Sequence, residues 1–369
     1  MKKFKYMKPL CFFIILALTT GYAFHCYSFP KNYISRSYEA FYDEPKNLID
    51  GVVFGTSVVA NGWSAPVAWH EYGMPVYQLG GTVQPFGPLP QLIDFVRSRQ
   101  DIKYVIIDIH ALRTKTIKKS VRPENALRVS NSLHLGTHRY RVLQSSLDYA
   151  QKVYDFYGMP QNPEHILYPD NISNYVPFIN FHNRWADGLE KADYISVPSE
   201  YKGALDDGSA FAVKDVSGLV DMWKVKPAQA DTFQKEMLEE CFRYLQENNI
   251  PALFISYPSF NTKKELGQLK AISQYIKDRG FPMIDMCSIE MLEEIGLDTR
   301  SDFRDESHLN SIGAGKATRY LCAYIKEHCY YKDHRGDRRY GSWDKAVGDY
   351  AEFLRNGWAV KGIDFHFII

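Results

Sequence analysis

This sequence predicts an α/β chain built on a doubly wound parallel sheet flanked by helices. Two observations carry that expectation. Short apolar runs recur without polar alternation, as in strands buried on both faces. Between the later runs lie longer stretches with apolar residues at helical spacing. Strands alternating with helices imply right-handed crossovers, which put reactive residues at the carboxyl ends of the strands.

Taken in order, the chain begins with Lys2, Lys3, Lys5 and Lys8, followed by an apolar run from Pro9 to about Phe24. The basic flank belongs on the cytoplasmic side. The run is a little short of the ~20 residues typical of a spanning helix, but Tyr22, His25 and Tyr27 extend it through the interface. No small-x-small cleavage site precedes Ser28, so residues 1–28 read as an uncleaved single-pass anchor rather than a removed signal peptide.

The first strand, Val52–Phe54, runs directly into Gly55-Thr56-Ser57, and the second spans Tyr104–Ile109. Later, Asp231–Asn249 reads as a helix, Ala252–Tyr257 as a strand, Lys264–Arg279 as a helix and Pro282–Met286 as a fourth strand. Alternation stops between about Leu112 and Val225. That stretch, with a helix near Val142–Tyr157, reads as an insertion or cap within a main domain of residues 29–330. Residues 331–369 form a C-terminal helical extension, entered through Lys332–Arg339 as a solvated turn.

Composition narrows the function classes. There are 44 Lys and Arg against 43 Asp and Glu, so no global charge favours nucleic acid. Aromatic residues make up 15%, which suits an aromatic core or a surface that stacks on sugars or lies near a membrane, with the core preferred. The cysteines (Cys11, Cys26, Cys241, Cys287, Cys322, Cys329) form no C-x-x-C pair, and no Cys/His cluster has zinc-site spacing. His134 and His138 lie four apart, but Gly136 between them and the lack of a third ligand argue against a metal. No metal and no cofactor are expected.

The strongest chemical signal is late: Ser301-Asp302-Phe303-Arg304-Asp305-Glu306-Ser307-His308-Leu309-Asn310 sets an acid three residues before a histidine. A histidine works as a general base when its second ring nitrogen is held, and a carboxylate can hold it. Ser57 is the matching nucleophile, because a glycine-led turn out of a strand exposes its hydroxyl and brings backbone N–H groups beside it. Asp108 and His110 share one side of an extended strand end, where they either line the pocket or hydrogen-bond at the strand terminus. His182, Arg184 and Trp185 could hold an anionic or sugar substrate, although packing is the simpler role.

The blocks around Ser57 and Asp305-x-x-His308, with Asn310, Gly313 and Ala314 behind them, resemble the SGNH (GDSL-type) hydrolase superfamily over roughly residues 49–328. The resemblance implies a flavodoxin-like fold and a triad of Ser57, His308 and Asp305. It also implies a second-block glycine, Gly80 or Gly81 after a short apolar run, as oxyanion donor with the Ser57 N–H, and Gln84 could supply an amide. The N-terminal anchor and Asp-Phe-x-Asp-x-x-His-Leu-Asn look most like the extracytoplasmic branch. That branch holds the D-alanyl-transfer protein of teichoic acids and the O-acetylation proteins of bacterial exopolysaccharides. It implies a bacterial membrane protein with its catalytic domain outside, an acylated glycan or glycolipid substrate, and room for a membrane-bound acyltransferase as partner.

Two positions depart from the pattern. Thr56 stands where Gly-Asp-Ser has its acid, and Ile107-Asp108-Ile109-His110 lacks the asparagine of Gly-x-Asn-Asp that donates to the oxyanion. One oxyanion donor is worth about 2.7–4 kcal/mol of barrier. Three readings therefore stand: a serine esterase or acyltransferase, a non-catalytic relative that binds an acylated carrier or glycan, and, more weakly, a phosphoesterase.

Overall fold

The computed structural model describes residues 7–27, 33–158, 167–181, 186, 199–204 and 207–362. Its centre is a five-stranded, all-parallel sheet in the order β2-β1-β3-β4-β5, flanked by helices. The strands are β1 Gly51–Phe54, β2 Val76–Gln78, β3 Tyr104–Asp108, β4 Ala252–Ser256 and β5 Met283–Asp285. Four of them fall on the expected apolar runs. β2 is additional. It lies at the sheet edge, three residues long, with Val52 paired to Tyr77.

Burial explains the absence of alternation: every residue of β1 through β4 is shielded from solvent on both faces. The crossover helices start where their sequences supply caps. Asp231 and Gln234 close a capping box at Thr232–Glu247, and Thr262 and Glu265 close another at Lys263–Asp278. The helices form two groups. Leu89–Arg97 packs against Thr137–Tyr157 and Thr232–Glu247, whereas Ala65–Tyr72 packs against Ser311–His328 and Gly341–Val360.

Chain order reverses between β1 and β3, where crossovers leave in opposite directions and open a crevice at the strands' carboxyl ends. Ser57 follows β1 at this switch point. The β1–β3 register pairs Phe54 with Ile107, which sets Gly55 beside Asp108.

The described residues of the 112–225 stretch do not form a single cap. Its Thr137–Tyr157 helix lies on the flank against Leu89–Arg97 because Val142, Leu147, Ala150 and Val153 form a buried stripe. Residues 199–204 and 207–224 instead run past the carboxyl end of the sheet, where Lys214 N–H donates to Phe303 O (2.8 Å) and Trp223 Nε1–H to Ser259 O (2.9 Å).

The Gly341–Val360 helix packs tightly on the main body. Trp69 stacks on Tyr340 and donates to Asp344 (2.8 Å), and Trp358 donates to Ser311 (3.0 Å). Lys332–Arg339 is accordingly not a fully solvated turn. His334 is buried and meets Asp50 Oδ2 at 2.8 Å, clamping the segment to the residue just before β1. At the other end, Met7–Tyr27 forms one helix long and apolar enough to cross a membrane.

Candidate active site

The Ser57 side arises from β1 and the turn after it. Thr56 is extended and precedes a single helical turn, Ser57–Ala60, so Ser57 stands at the first helical position. The His308 side arises from a small hairpin in which Phe303–Asp305 (β6) pairs antiparallel with His308–Leu309 (β7). Asp305 and His308 are direct cross-strand partners across Glu306-Ser307, which explains their three-residue spacing better than a loop does. Asn310 caps the next helix through Ile312 and Gly313 N–H groups and donates to Ser301 O (2.6 Å), fixing the hairpin's exit.

The hairpin brings His308 Nε2 to 2.8 Å from Ser57 Oγ across 251 residues of chain. Its Nδ1 lies 2.9 and 3.0 Å from the two Asp305 oxygens. A carboxylate only accepts, so Nδ1 carries the proton and donates, leaving Nε2 to accept the Ser57 hydroxyl. No family model matches this chain, and no curated protein matches it.

Asp305 is partly open to solvent. Burial works to raise its carboxyl, but the His308 hydrogen bond and charge, the Ser307 N–H (2.7 Å) and the Arg304 guanidinium outweigh it. The balance holds the group down to about 2. It is an anion wherever His308 could act as a base.

Arg304 and Asn61 escaped sequence reasoning. Arg304 donates from Nη1 to Asn61 Oδ1 (2.7 Å) and Ser209 Oγ (2.6 Å), and from Nε to Asp305 (3.3 Å). Asn61 in turn donates to Ser57 O (2.6 Å). One guanidinium thus braces both Asp305 and the turn that carries Ser57. The only available signals were the adjacency of Arg304 to Asp305 and the four-residue step from Ser57 to Asn61.

The oxyanion candidates divide. The Ser57 N–H has no hydrogen bond among the described residues and points from the start of its helical turn. Gly81 N–H donates to Gly55 O at 3.0 Å, continuing the β1–β2 ladder after Leu79 N–H reaches Val53 O (2.9 Å), and is therefore not an oxyanion donor. Gly80 N–H donates to its neighbour Gln78 Oε1 (3.1 Å), a side-chain acceptor that an arriving oxyanion could displace. Gln84 is buried near Gly81 with its Oε1 unpaired among the described residues.

Asp108 and His110 are both buried; Asp108 borders a cavity of only about 10 Å³ beside Gly55 and Gln84, and His110 is not among that cavity's lining residues. The strand ends at Asp108, whose carboxylate caps the 3-10 turn Ile109–Leu112, so His110 is not on an extended segment. His110 Nδ1 lies 2.7 Å from Asp108 Oδ1 and its Nε2 2.9 Å from Ser259 Oγ. Asn261 donates to that same hydroxyl (2.7 Å), leaving the Ser259 proton for His110 Nε2. This second acid–histidine–serine array supports the floor below Gly55. It also steadies the β4 loop, from which Phe260 N–H donates to Glu306 O (2.6 Å) inside the His308 hairpin.

His134 meets Glu39 (3.0 Å) and stacks on Tyr42, and no cluster of three His, Cys, Asp or Glu with metal-binding spacing occurs among the described residues. Trp185, with His182 and Arg184, lies outside the described residues.

Proposed function

We propose that this protein is a membrane-anchored serine esterase or acyltransferase acting on an acylated glycan or glycolipid of the cell surface. The 2.8 Å contact between Ser57 Oγ and His308 Nε2, with Asp305 behind the ring, carries the reading. In the reaction, Ser57 Oγ bonds to the ester carbonyl carbon while His308 Nε2 takes its proton. The tetrahedral oxygen is met by the Ser57 N–H and by Gly80 N–H once Gln78 yields. Collapse expels the alcohol, which receives the proton from His308, and leaves an acyl-Ser57 ester. Water or a sugar hydroxyl then attacks that ester, His308 again relaying the proton. Asp305 keeps the ring in its Nδ1–H tautomer and stabilises the imidazolium.

The Met7–Tyr27 helix supports an anchor with the catalytic domain outside the cytoplasm, following the basic residues at its start. A membrane-bound acyltransferase would be a natural source of acyl groups for such an enzyme.

The occupied Gly80 N–H motivates a second reading, a non-catalytic relative that binds an acylated carrier or glycan in the same cleft. A fluorophosphonate probe separates the two. The first reading expects labelling that Ser57→Ala abolishes and His308→Ala sharply reduces; folded wild-type protein that never labels would establish the second. Acetyl and aminoacyl esters offered to the labelled form then identify the acyl class.

A further inference from the structure

Among the described residues outside the N-terminal helix, ten large apolar side chains are exposed, and four of them fall between positions 168 and 179: Tyr168, Ile172, Tyr175 and Ile179. Ile172 is the most open at 66% exposure. The surrounding sequence, Asn171-Ile-Ser-Asn-Tyr-Val-Pro-Phe-Ile-Asn-Phe181, contains no charged residue. Apolar exposure so concentrated, on a segment whose one charged residue is Asp170 near its N-terminal end, marks an interaction surface.

What lies against that surface follows from its neighbours. Phe178 stacks on Phe24 with ring centroids 5.6 Å apart and planes within 10°, and Tyr27 meets the same ring edge-on at 6.2 Å. Phe24 and Tyr27 belong to the last turn of the Met7–Tyr27 helix, where a spanning segment leaves the hydrocarbon. The patch therefore continues sideways from the exit point of the anchor. It also extends across the domain: Gln144 donates to Tyr175 Oη (3.3 Å), and Tyr140, one turn earlier on the same helix face, is 56% exposed. Tyrosines mixed with aliphatic residues match the composition that settles at the headgroup level of a bilayer.

We propose that residues 168–179 rest in the membrane interface and hold the domain against the lipid surface beside its own anchor. The proposal rests on the reading of Met7–Tyr27 as a membrane helix. Its occupant is lipid, not a second protein. It deepens the functional reading in one respect. A cavity of about 430 Å³ opens next to the segment, lined in part by Leu127, Arg128, Leu167, Tyr168 and Phe181. Arg128 donates from it to Thr82 O (2.5 Å), one residue beyond Gly81. Lipid-linked substrates would thus approach from the bilayer side.

The test uses the full chain with Cys11→Ser, reconstituted in vesicles of phosphatidylcholine and phosphatidylglycerol. A nitrobenzoxadiazole label is placed at Ile172→Cys or Tyr175→Cys, and at Lys345→Cys, on the exposed face of the C-terminal helix, as the reference. Doxyl-labelled lipids are expected to quench the first two sites at least twofold more than the third, with a blue-shifted emission. Equal quenching at all sites, in protein that still floats with the vesicles and resists alkaline extraction, overturns the proposal and transfers the patch to a protein partner. Protein released by alkaline extraction overturns the anchor reading itself, a separate failure.

Discussion

Gly80→Ala tests the site's architecture without touching any triad residue. The backbone at position 80 lies outside the left-handed region, so alanine meets no conformational penalty there. The obstacle is space. A methyl group would lie 2.7 Å from Val59 Cβ, 2.8 Å from Val59 Cγ1 and 3.1 Å from Thr56 O. Val59 is wholly buried, and its Cβ is fixed to the helical turn that begins at Ser57, so a rotamer change cannot clear the clash. Opening the contact from 2.7 to 3.4 Å requires the two segments to part by about 0.7 Å. Overpacking of this kind costs about 1–3 kcal/mol of stability. Displacing a nucleophile by nearly 1 Å costs up to roughly 100-fold in rate.

Gly81→Ala is the control, because its methyl group meets Ile34 Cδ1 at 2.7 Å, the free end of a flexible side chain, and Gln84 Oε1 at 3.1 Å. Fluorophosphonate labelling rates and p-nitrophenyl acetate turnover report activity, and urea unfolding reports stability. Gly80→Ala is expected to lose about 10- to 100-fold in labelling rate, and Gly81→Ala less than about fivefold. Wild-type labelling by Gly80→Ala, or equal losses in both variants, would refute the placement of Gly80 against the nucleophile's turn.

Asp305→Asn should keep the fold and slow turnover by about 10³–10⁴-fold, since an amide cannot hold His308 in the required tautomer; steady-state kinetics checks this. Because the folded Asp305 carboxyl sits at about 2, below its ordinary value near 3.9, its stabilising contribution is complete above about pH 4 and is lost as pH falls toward 2. Arg304→Met should move that carboxyl upward, read directly from its ¹³C shift during acid titration. His110→Ala leaves the buried Asp108 and Ser259 without their shared partner. It should lower unfolding free energy by about 2–4 kcal/mol in urea titrations, with Ser259→Ala costing about half as much.

Four of the five central strands were legible because burial on both faces writes itself as an unbroken apolar run. β2 was not, since three residues ending in Gln78 carry too little apolar pattern, and their pairing with β1 is a long-range fact. The same pairing decides the fate of Gly81, whose N–H continues the ladder and could not be judged without it. Asp305 and His308 were legible as a local motif, and Ser57 as a strand-end turn. Arg304 and Asn61 were not, because 243 residues separate the two ends of their hydrogen bond. Asp108 and His110 were read on an extended strand, yet the aspartate caps a turn and so ends the strand it was expected to continue.

The 251-position separation of Ser57 and His308 also sets a clock. At synthesis rates of about 5–20 residues per second, Ser57 leaves the ribosome roughly 12–50 s before His308 does. A chain held by its N-terminal helix would therefore be delivered to the membrane with an inert hydroxyl. Reactivity would arrive only when the last hairpin closes over the sheet.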